Sequence, residues 1–486
     1  MDSDLTCNAA AYIEGKNCVS IRMTGSNSEQ HLPEKEDDAD VSLAATKKKE
    51  RVKARWSLLR EALIGSSQSS AAKNKHSMNS FAGFQVLDRT VIQDVDECSN
   101  LLAKCNNNNA DEGQDGEASS SIESWDFVQN SYTCQQGGKI QFATREVKQQ
   151  PQQQSSQQQQ CTSRSSMKSR VEALLSHRFH GIDNTGNVRV WDSEATLAGF
   201  LLSVLLSEEF NDVGDTDLET SEFTKVMDLR SRIKTALFAN ESTCGDDNGQ
   251  EICNILELGA GQAGLAGLAV ASATNYIDNM KSLHLVLTDG HPKCVENNRS
   301  CAKLLVRERR KDASVDSQLL LWDVSAKGAE ECQRIIRECH KPSLEQSSGE
   351  GSFHICLASD CVHFQEFHDG LFATIARTLK VGGVALLCQP KRGCSLANFM
   401  TMIDAVNTNE SNTSNGPMFQ VDMLQDFHPK VSNMHRSLEV TTATSTCYDP
   451  NWHRPFLLVM TKLRSFDEDV DGELARKAVK TYMTEK

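Results

Sequence analysis

The sequence predicts an α/β fold across residues 166–463, with a seven-stranded, mostly parallel sheet and helices on both of its faces. Three observations carry this expectation. Five apolar runs, each followed by a helical pattern, alternate between positions 252 and 406. Such alternation calls for parallel pairing with crossovers that cover both sheet faces. A glycine-rich turn at 257–264 joins the first run to its helix, on the sheet edge where ligands bind. Two further runs, 419–424 and 456–461, follow the alternation and are read as an antiparallel edge pair. The arrangement is Rossmann-like.

The elements follow in order. Positions 169–175 read as a short helix and 188–191 as a short strand-like run. Helices are expected at 195–206 and 224–238, with acidic loops between and after them. The five alternating strands are placed at 252–258, 283–288, 318–322, 353–358 and 384–389, and the fifth is followed by a helix at 395–406. Residues 464–486 read as a polar helical tail.

Composition sets the rest of the organisation. The 486 residues carry a formal net charge of −15 and are 38 % hydrophobic. That charge argues against a general nucleic-acid binder, because affinity for phosphate backbones comes largely from Lys and Arg. Residues 1–45 are acidic and polar and are expected to be disordered. Residues 46–90 begin with a basic amphipathic segment. Residues 91–165 read as an Asn/Gln/Ser-rich low-complexity insertion, with nine Gln in the twelve positions 149–160 and with Trp125 and Phe127 as its anchor. Such tracts bury too little apolar surface to offset their chain entropy. The 17 Cys include no C-x-x-C pair, so a zinc site is not expected. No apolar h-region opens the chain and no run reaches the ~18 apolar residues of a membrane helix. The expectation is a reduced protein of the cytoplasm or nucleus, off the membrane, and monomeric by default.

The turn Glu257-Leu-Gly259-Ala-Gly261-Gln-Ala-Gly264 carries the chemistry. Glycines permit positive φ and close approach of backbone to a ligand, and the helix N-terminus that follows offers unpaired N–H groups. By itself the pattern serves a dinucleotide site, a methyl-donor site or merely a tight strand-to-helix turn. Three acids narrow the choice. Glu257 precedes the first glycine by two positions. Asp289 ends the second strand, where a carboxylate accepts from ribose hydroxyls. Trp322 and Asp323 end the third, an aromatic face and an acceptor for an adenine ring. A carboxylate beside the first glycine repels a pyrophosphate but suits an adenosyl ligand bearing an ammonium and a sulfonium. S-adenosylmethionine is therefore favoured over NAD.

These residues resemble a known family. Glu257 to Gly261, Ala266-Gly-Leu268 and Leu287-Thr-Asp289-Gly290 look like the seven-strand, class I S-adenosylmethionine-dependent protein-lysine methyltransferases, and more closely the calmodulin-lysine N-methyltransferases. Further matching stretches are 55–60, 183–191 with Ser193 and Glu194, 359–361, Pro390-Lys-Arg-Gly393, Ser432-Asn433 and 455–462. The similarity spans 51–64 and 168–463, with the Asn/Gln-rich insertion and an acidic stretch at 207–223 as departures. It implies transfer of methyl groups from S-adenosylmethionine to a calmodulin lysine, up to trimethyllysine. It implies cofactor contacts at Trp191, Glu257, Gly259, Gly261, Asp289 and Trp322. Asp360 falls where relatives keep an acid-x-x-aromatic motif near the target lysine. Here the motif reads Asp360-Cys-Val-His363, with the aromatic Phe364 one step later.

Methyl transfer to an amine needs alignment, exclusion of water and an uncharged nitrogen rather than an enzymatic nucleophile. Asp360 is accordingly read as a positioning group, with helix capping as its structural alternative, and His363 as a candidate proton acceptor or an ordinary loop residue. Residues 47–60 carry seven basic side chains and one acid. Val52, Trp56, Leu59 and Leu63 share one helical face, the pattern of a calmodulin-target or membrane-surface helix. This segment either docks the acidic substrate or packs on the domain. The alternatives at this point are a methyltransferase for another protein lysine or a small molecule, a non-catalytic S-adenosylmethionine-binding module, and an NAD-dependent oxidoreductase, which Glu257, Trp322 and Asp323 disfavour.

Overall fold

The computed structural model describes residues 83–106, 125–134, 137–147, 190–207, 220–238, 252–306, 313–339, 351–408, 416–441 and 448–484. The acidic 1–45, the basic 47–60, the Gln-rich 149–160, the helix expected at 169–175 and most of 183–191 and 207–223 lie outside the described residues.

The main sheet has seven strands: β4 (Ile252–Leu258), β5 (Ser282–Asp289), β6 (Ala313–Leu319), β7 (Phe353–Ser359), β8 (Leu379–Pro390), β9 (Phe419–Leu424) and β10 (Pro455–Lys462). Their spatial order is β6-β5-β4-β7-β8-β10-β9. The first five pair in parallel, while β10 runs antiparallel to both β8 and β9. The expected edge pair is present, with β10 inserted inside β9. The sheet order reverses between β4 and β7, which opens a crevice at their carboxyl ends.

Alternating side chains of β4 feed two cores. Cys253 and Ile255 face one that includes α2 (Asp192–Leu205), α3 (Thr220–Leu237) and α4 (Leu265–Ala273). Leu256 and Leu258 face the other, with α6 (Ala326–Cys339), α7 (His368–Thr378), α8 (Ser395–Asn407) and the terminal helix α11 (Asp471–Thr484). Helix α4 is buried along its whole length, as expected of a crossover built from Leu, Ala, Val and Gly. Helix α5 (Pro292–Val306) follows β5 and packs beside β6. None of the described helices is long and apolar enough to cross a membrane.

Two expectations need correction. The third strand lies at Ala313–Leu319, not at 318–322. Its partner β5 sets the register, Leu283 opposite Ala313 through Asp289 opposite Leu319. As a sheet edge it alternates exposed and covered side chains, so the apolar run after it marks the chain leaving the sheet. Trp322 and Asp323 therefore stand beyond the strand, in the loop that enters α6. The segment at 91–165 is also not merely an insertion. It holds α1 (Val95–Asn106) and the hairpin of β2 (Trp125–Thr133) and β3 (Lys139–Val147), which with β1 (Asp88–Val91) form a second sheet in the order β1-β2-β3. Tyr132, Ile140 and Phe142 from this hairpin are buried in the same core as α2 and α4. Averaging composition across the polar tracts hid the alternation of 125–147.

The C-terminal helix is polar on one face only. Ala475, Val479 and Tyr482 recur at helical spacing and are buried, and Arg464 grips the fully buried Asp471 at its start with bonds of 2.7 and 2.8 Å. Tyr482 Oη lies 2.8 Å from Nδ1 of the buried His368, whose Nε2 lies 2.8 Å from the carbonyl oxygen of Val362. A carbonyl only accepts, so Nε2 carries the proton and Tyr482 donates to Nδ1. The tail thus anchors the 361–363 turn after β7.

Removing that hydrogen bond tests the anchor. Tyr482→Phe is expected to cost about 1 kcal/mol and Tyr482→Ala about 3 kcal/mol, read from urea unfolding midpoints. Equal, negligible losses in both variants would show that α11 contributes nothing to the core.

Candidate active site

The turn after β4 is held in a form only glycine adopts readily. Gly259, Gly261 and Gly264 take φ of +61°, +56° and +58°. A Cβ on Gly259 would stand 2.8 Å from Cys361 Sγ and 3.1 Å from the Trp322 ring. The Trp322 ring thus lies against the first glycine, and its Nε1 is buried without a hydrogen-bond partner among the described residues.

Asp289 braces the turn. Its Oδ2 accepts from Gly261 N at 2.9 Å and its Oδ1 from His291 N at 2.8 Å. A carboxylate oxygen accepts more than one hydrogen bond, so this bracing is compatible with receiving ribose hydroxyls. Helix α5 adds two amides. Asn298 Nδ2 donates to Gly261 O at 3.1 Å. Asn297 Nδ2 donates to Gln262 O at 2.6 Å and to Arg145 O of β3 at 2.7 Å. The second sheet and the turn therefore share one side chain. Asp323 accepts from Ser325 N at 2.8 Å and so sets the entry to α6.

Two carboxylates serve the N-terminus of α4. Glu257 Oε2 accepts from Gly267 N at 2.7 Å, and Glu194 Oε1, from α2, accepts from Leu265 N at 2.8 Å. They are 2 % and 5 % exposed. Burial raises both, Glu194 to about 7 and Glu257 to about 8; the charge of Glu194 raises Glu257 further, against the lowering effect of the amides. The sequence placed Glu257 here but gave Glu194 no role. An acid in the first turn of α2 ordinarily serves its own helix; this one serves another. The consequence is chemical. The amides that would cradle a pyrophosphate are already occupied, and by acids that an approaching cation draws into their negative forms. A ligand with an ammonium and a sulfonium is matched instead.

The ends of β7 and β8 supply the other wall. Asp360 and Arg392 form a two-pronged ion pair, Arg392 Nε donating to Asp360 Oδ1 at 2.8 Å and Nη2 to Oδ2. The guanidinium carbon lies 5.6 Å from the ring centre of Trp191, at the N-cap of α2, and 5.7 Å from that of Trp452, in the short α10 (Pro450–His453). Cys361, next to Asp360, is the residue that touches Gly259, so this wall adjoins the glycine turn. His363 closes a short helical turn and meets Phe364 edge-on at 5.1 Å. The aromatic that is one step late in sequence thus packs on the His that precedes it. Arg392 lies in the Pro390–Gly393 stretch that matched the family; its role as partner of Asp360 was not legible there.

No family model matches the chain. It is 29 % identical over 289 residues to a protein described as calmodulin-lysine N-methyltransferase from Arabidopsis thaliana, a match covering 59 % of this chain and 68 % of that protein. Among solved structures it is similar to a described S-adenosyl-L-methionine-dependent methyltransferase of Methanococcus maripaludis, at 13 % identity and a TM-score of 0.21, covering 44 % of this chain and 80 % of that one. A Haemonchus contortus phosphoethanolamine N-methyltransferase 2 in complex with S-adenosyl-L-methionine matches at 12 % identity and a TM-score of 0.25, covering 56 % and 58 %. The sheet order is that of a Rossmann-like α/β fold, and with its acidic glycine turn S-adenosylmethionine is the cofactor that fits the site.

The two acids give a pH test. Their folded pKa values lie above the ordinary carboxylate value, so protonation favours the folded state. Stability of the cofactor-free protein is expected to be fullest below about pH 4.5 from these groups and to fall as pH rises toward about 8. A cationic ligand favours the ionised forms, so S-adenosylmethionine should raise Tm more at pH 8.5 than at pH 6. Glu257→Gln should flatten both trends and weaken cofactor binding about tenfold. Identical Tm profiles in the variant would remove Glu257 from the site. Gly259→Ala should cost about 1–2 kcal/mol in backbone strain and displace Trp322, abolishing cofactor binding measured by calorimetry.

Proposed function

We propose that this chain transfers methyl groups from S-adenosylmethionine to the ε-amine of a lysine in calmodulin, in up to three rounds. The observation that carries the chemistry is the pair of carboxylates at the N-terminus of α4, which favours a cationic methyl donor over a phosphate-bearing cofactor. The substrate rests on the 29 % identical relative and on the stretches that match its family.

In this reading Trp191, Glu257, Gly259, Gly261, Asp289, Trp322 and Asp323 hold the cofactor, which when bound supplies a methyl group on a sulfonium. The remaining work is to deliver a neutral amine in line with that methyl. A lysine of pKa near 10.4 is neutral in only about 0.1 % of molecules at pH 7.4. Burial in the crevice between β4 and β7, beside a cation, lowers that pKa. Asp360 orients the amine by accepting from it, and His363 is a candidate to receive a proton. The amine would form the new N–C bond with the donor's methyl group, the C–S electron pair staying on sulfur, and would release its surplus proton to His363 or water before the next round.

The basic segment at 47–60 is proposed to dock the acidic substrate, offsetting the −15 of the whole chain. Reduced cysteines and the lysine run 47–49 fit a cytoplasmic and nuclear protein.

Labelled S-adenosylmethionine and unmodified calmodulin, followed by mass spectrometry, test the proposal. Stepwise gains of one methyl group on one lysine are expected, lost in Asp289→Ala. Cofactor binding without transfer to any protein in a cell lysate would favour a non-catalytic module. Transfer to a different protein would replace calmodulin as substrate. Deletion of residues 46–64 is expected to raise the KM for calmodulin severalfold with kcat unchanged; an unchanged KM would end the docking role.

A further inference from the structure

The Asp360–Arg392 pair joins elements far apart in sequence, and its surroundings fix it closely. The two side chains are 10 % and 11 % exposed. Asp360 N donates to Cys388 O at 3.0 Å, Arg392 N to Asn451 O at 2.9 Å, and Gly393 N to Asn451 Oδ1 at 3.3 Å. Asp360 and Arg392 both hold positive φ, +56° and +46°. Side-chain-bearing residues rarely take this conformation, and it persists only where neighbours impose it, commonly at functional sites. Trp191 and Trp452 are half-buried, and both rings lie close to the guanidinium.

We infer that Arg392 is a positioning residue for the methyl-accepting amine, cancelling the charge of Asp360 and holding Trp191 and Trp452 as the two walls through which the lysine enters. The inference rests on the lysine reading above. Its logic is electrostatic. A bare carboxylate beside the target nitrogen would hold the lysine as ammonium, the form that cannot accept a methyl group. Both Asp360 oxygens are instead bonded to one guanidinium, so the acid keeps acceptor capacity without unbalanced charge. The need recurs at each round, because every methylated amine must lose a proton before it reacts again. The aromatic faces add a second property. They attract cations through their quadrupoles and so suit a side chain that enters charged and leaves charged.

Other charged groups face the pair from several elements: Asp192 of α2 and Asp449 before α10 act on His453 beside Arg392, and Asp289 and Glu257 act with Asp360 on Cys361. The buried thiols of Cys361 and Cys388 are held protonated, raised well above the usual range by burial and then by the Asp360 charge. His453 is pushed down, mainly by burial, with Arg392 also lowering it. None of them supplies a second positive charge to Asp360.

The test compares wild type, Arg392→Met, Arg392→Lys and the double variant Arg392→Met/Asp360→Asn. Three quantities are read: the pH profile of kcat on calmodulin or a lysine peptide, the KM, and cofactor affinity by calorimetry. Arg392→Met is expected to lower kcat at pH 7.5 about tenfold and to move the kcat profile about one pH unit upward, as the bare carboxylate stabilises the ammonium. Arg392→Lys should recover part of the displacement. The double variant, with neither charge, should bring the profile back toward wild type even though kcat stays low. Cofactor affinity should fall far less than kcat, through any loosening of Trp191 beside the guanidinium. A fall in kcat with an unmoved profile, no return in the double variant, or a parallel loss of cofactor affinity would each overturn the inference and leave Arg392 a structural brace. Wild-type protein that binds the cofactor yet methylates neither calmodulin nor any lysine peptide would instead overturn the lysine reading itself.

Discussion

The site depends on one arrangement: two buried acids at the N-terminus of a helix that would otherwise attract anions. A helix start carries partial positive charge and unpaired amides. Here Glu257 from the strand before it and Glu194 from another helix take Gly267 N and Leu265 N. A Cβ on Gly267 would fall 2.6 Å from Glu257 Oε2, so the helix itself makes room for the acid. With the amides occupied, the common preference of this fold for phosphate is reversed, and the cofactor is selected by charge as well as by shape. Burial makes that selection costly, which is why both acids hold their protons more tightly than a surface carboxylate would.

Much of this was legible in the sequence, and the reasons differ by element. The central strands are covered on both faces, so they read as continuous apolar runs, and 252–258 falls where expected. The edge strand β6 needs only one covered face, and its alternating pattern yielded to the more conspicuous apolar run after it. The hairpin of β2 and β3 was obscured because its Tyr132, Ile140 and Phe142 sit between tracts of Asn and Gln whose composition dominated the window. Glu257, Gly259 and Gly261 were identifiable because they share one motif, and Asp289 because it ends the next strand, although it lies 28 positions from Gly261. Glu194 and Arg392, 71 and 32 positions from their partners, end no strand that the pattern marks. Spacing along the chain carries no trace of such pairings.

The molecule also separates long-range from local charge. The chain is strongly acidic as a whole, but the wall formed by β7 and β8 is balanced, Arg392 against Asp360. In the proposed reading, that balance lets an acid orient an incoming amine without trapping it. It also places two tryptophans, contributed by segments more than 250 residues apart in sequence, against a single cation.

One amide has a practical consequence for how the protein is handled. Asn297 spends both hydrogens of its Nδ2, one on the cofactor turn and one on Arg145 of β3. Nearby, Arg145 N donates to Cys301 Sγ at 3.3 Å. The composition of the chain invites cutting it at residue 166 to isolate a catalytic fragment. Such a fragment would leave a buried carboxamide with half its bonding lost and strip apolar cover from α2 and α4. The early hairpin is therefore tied to the glycine turn through Asn297, and the smallest useful recombinant piece begins well before the Gln tract.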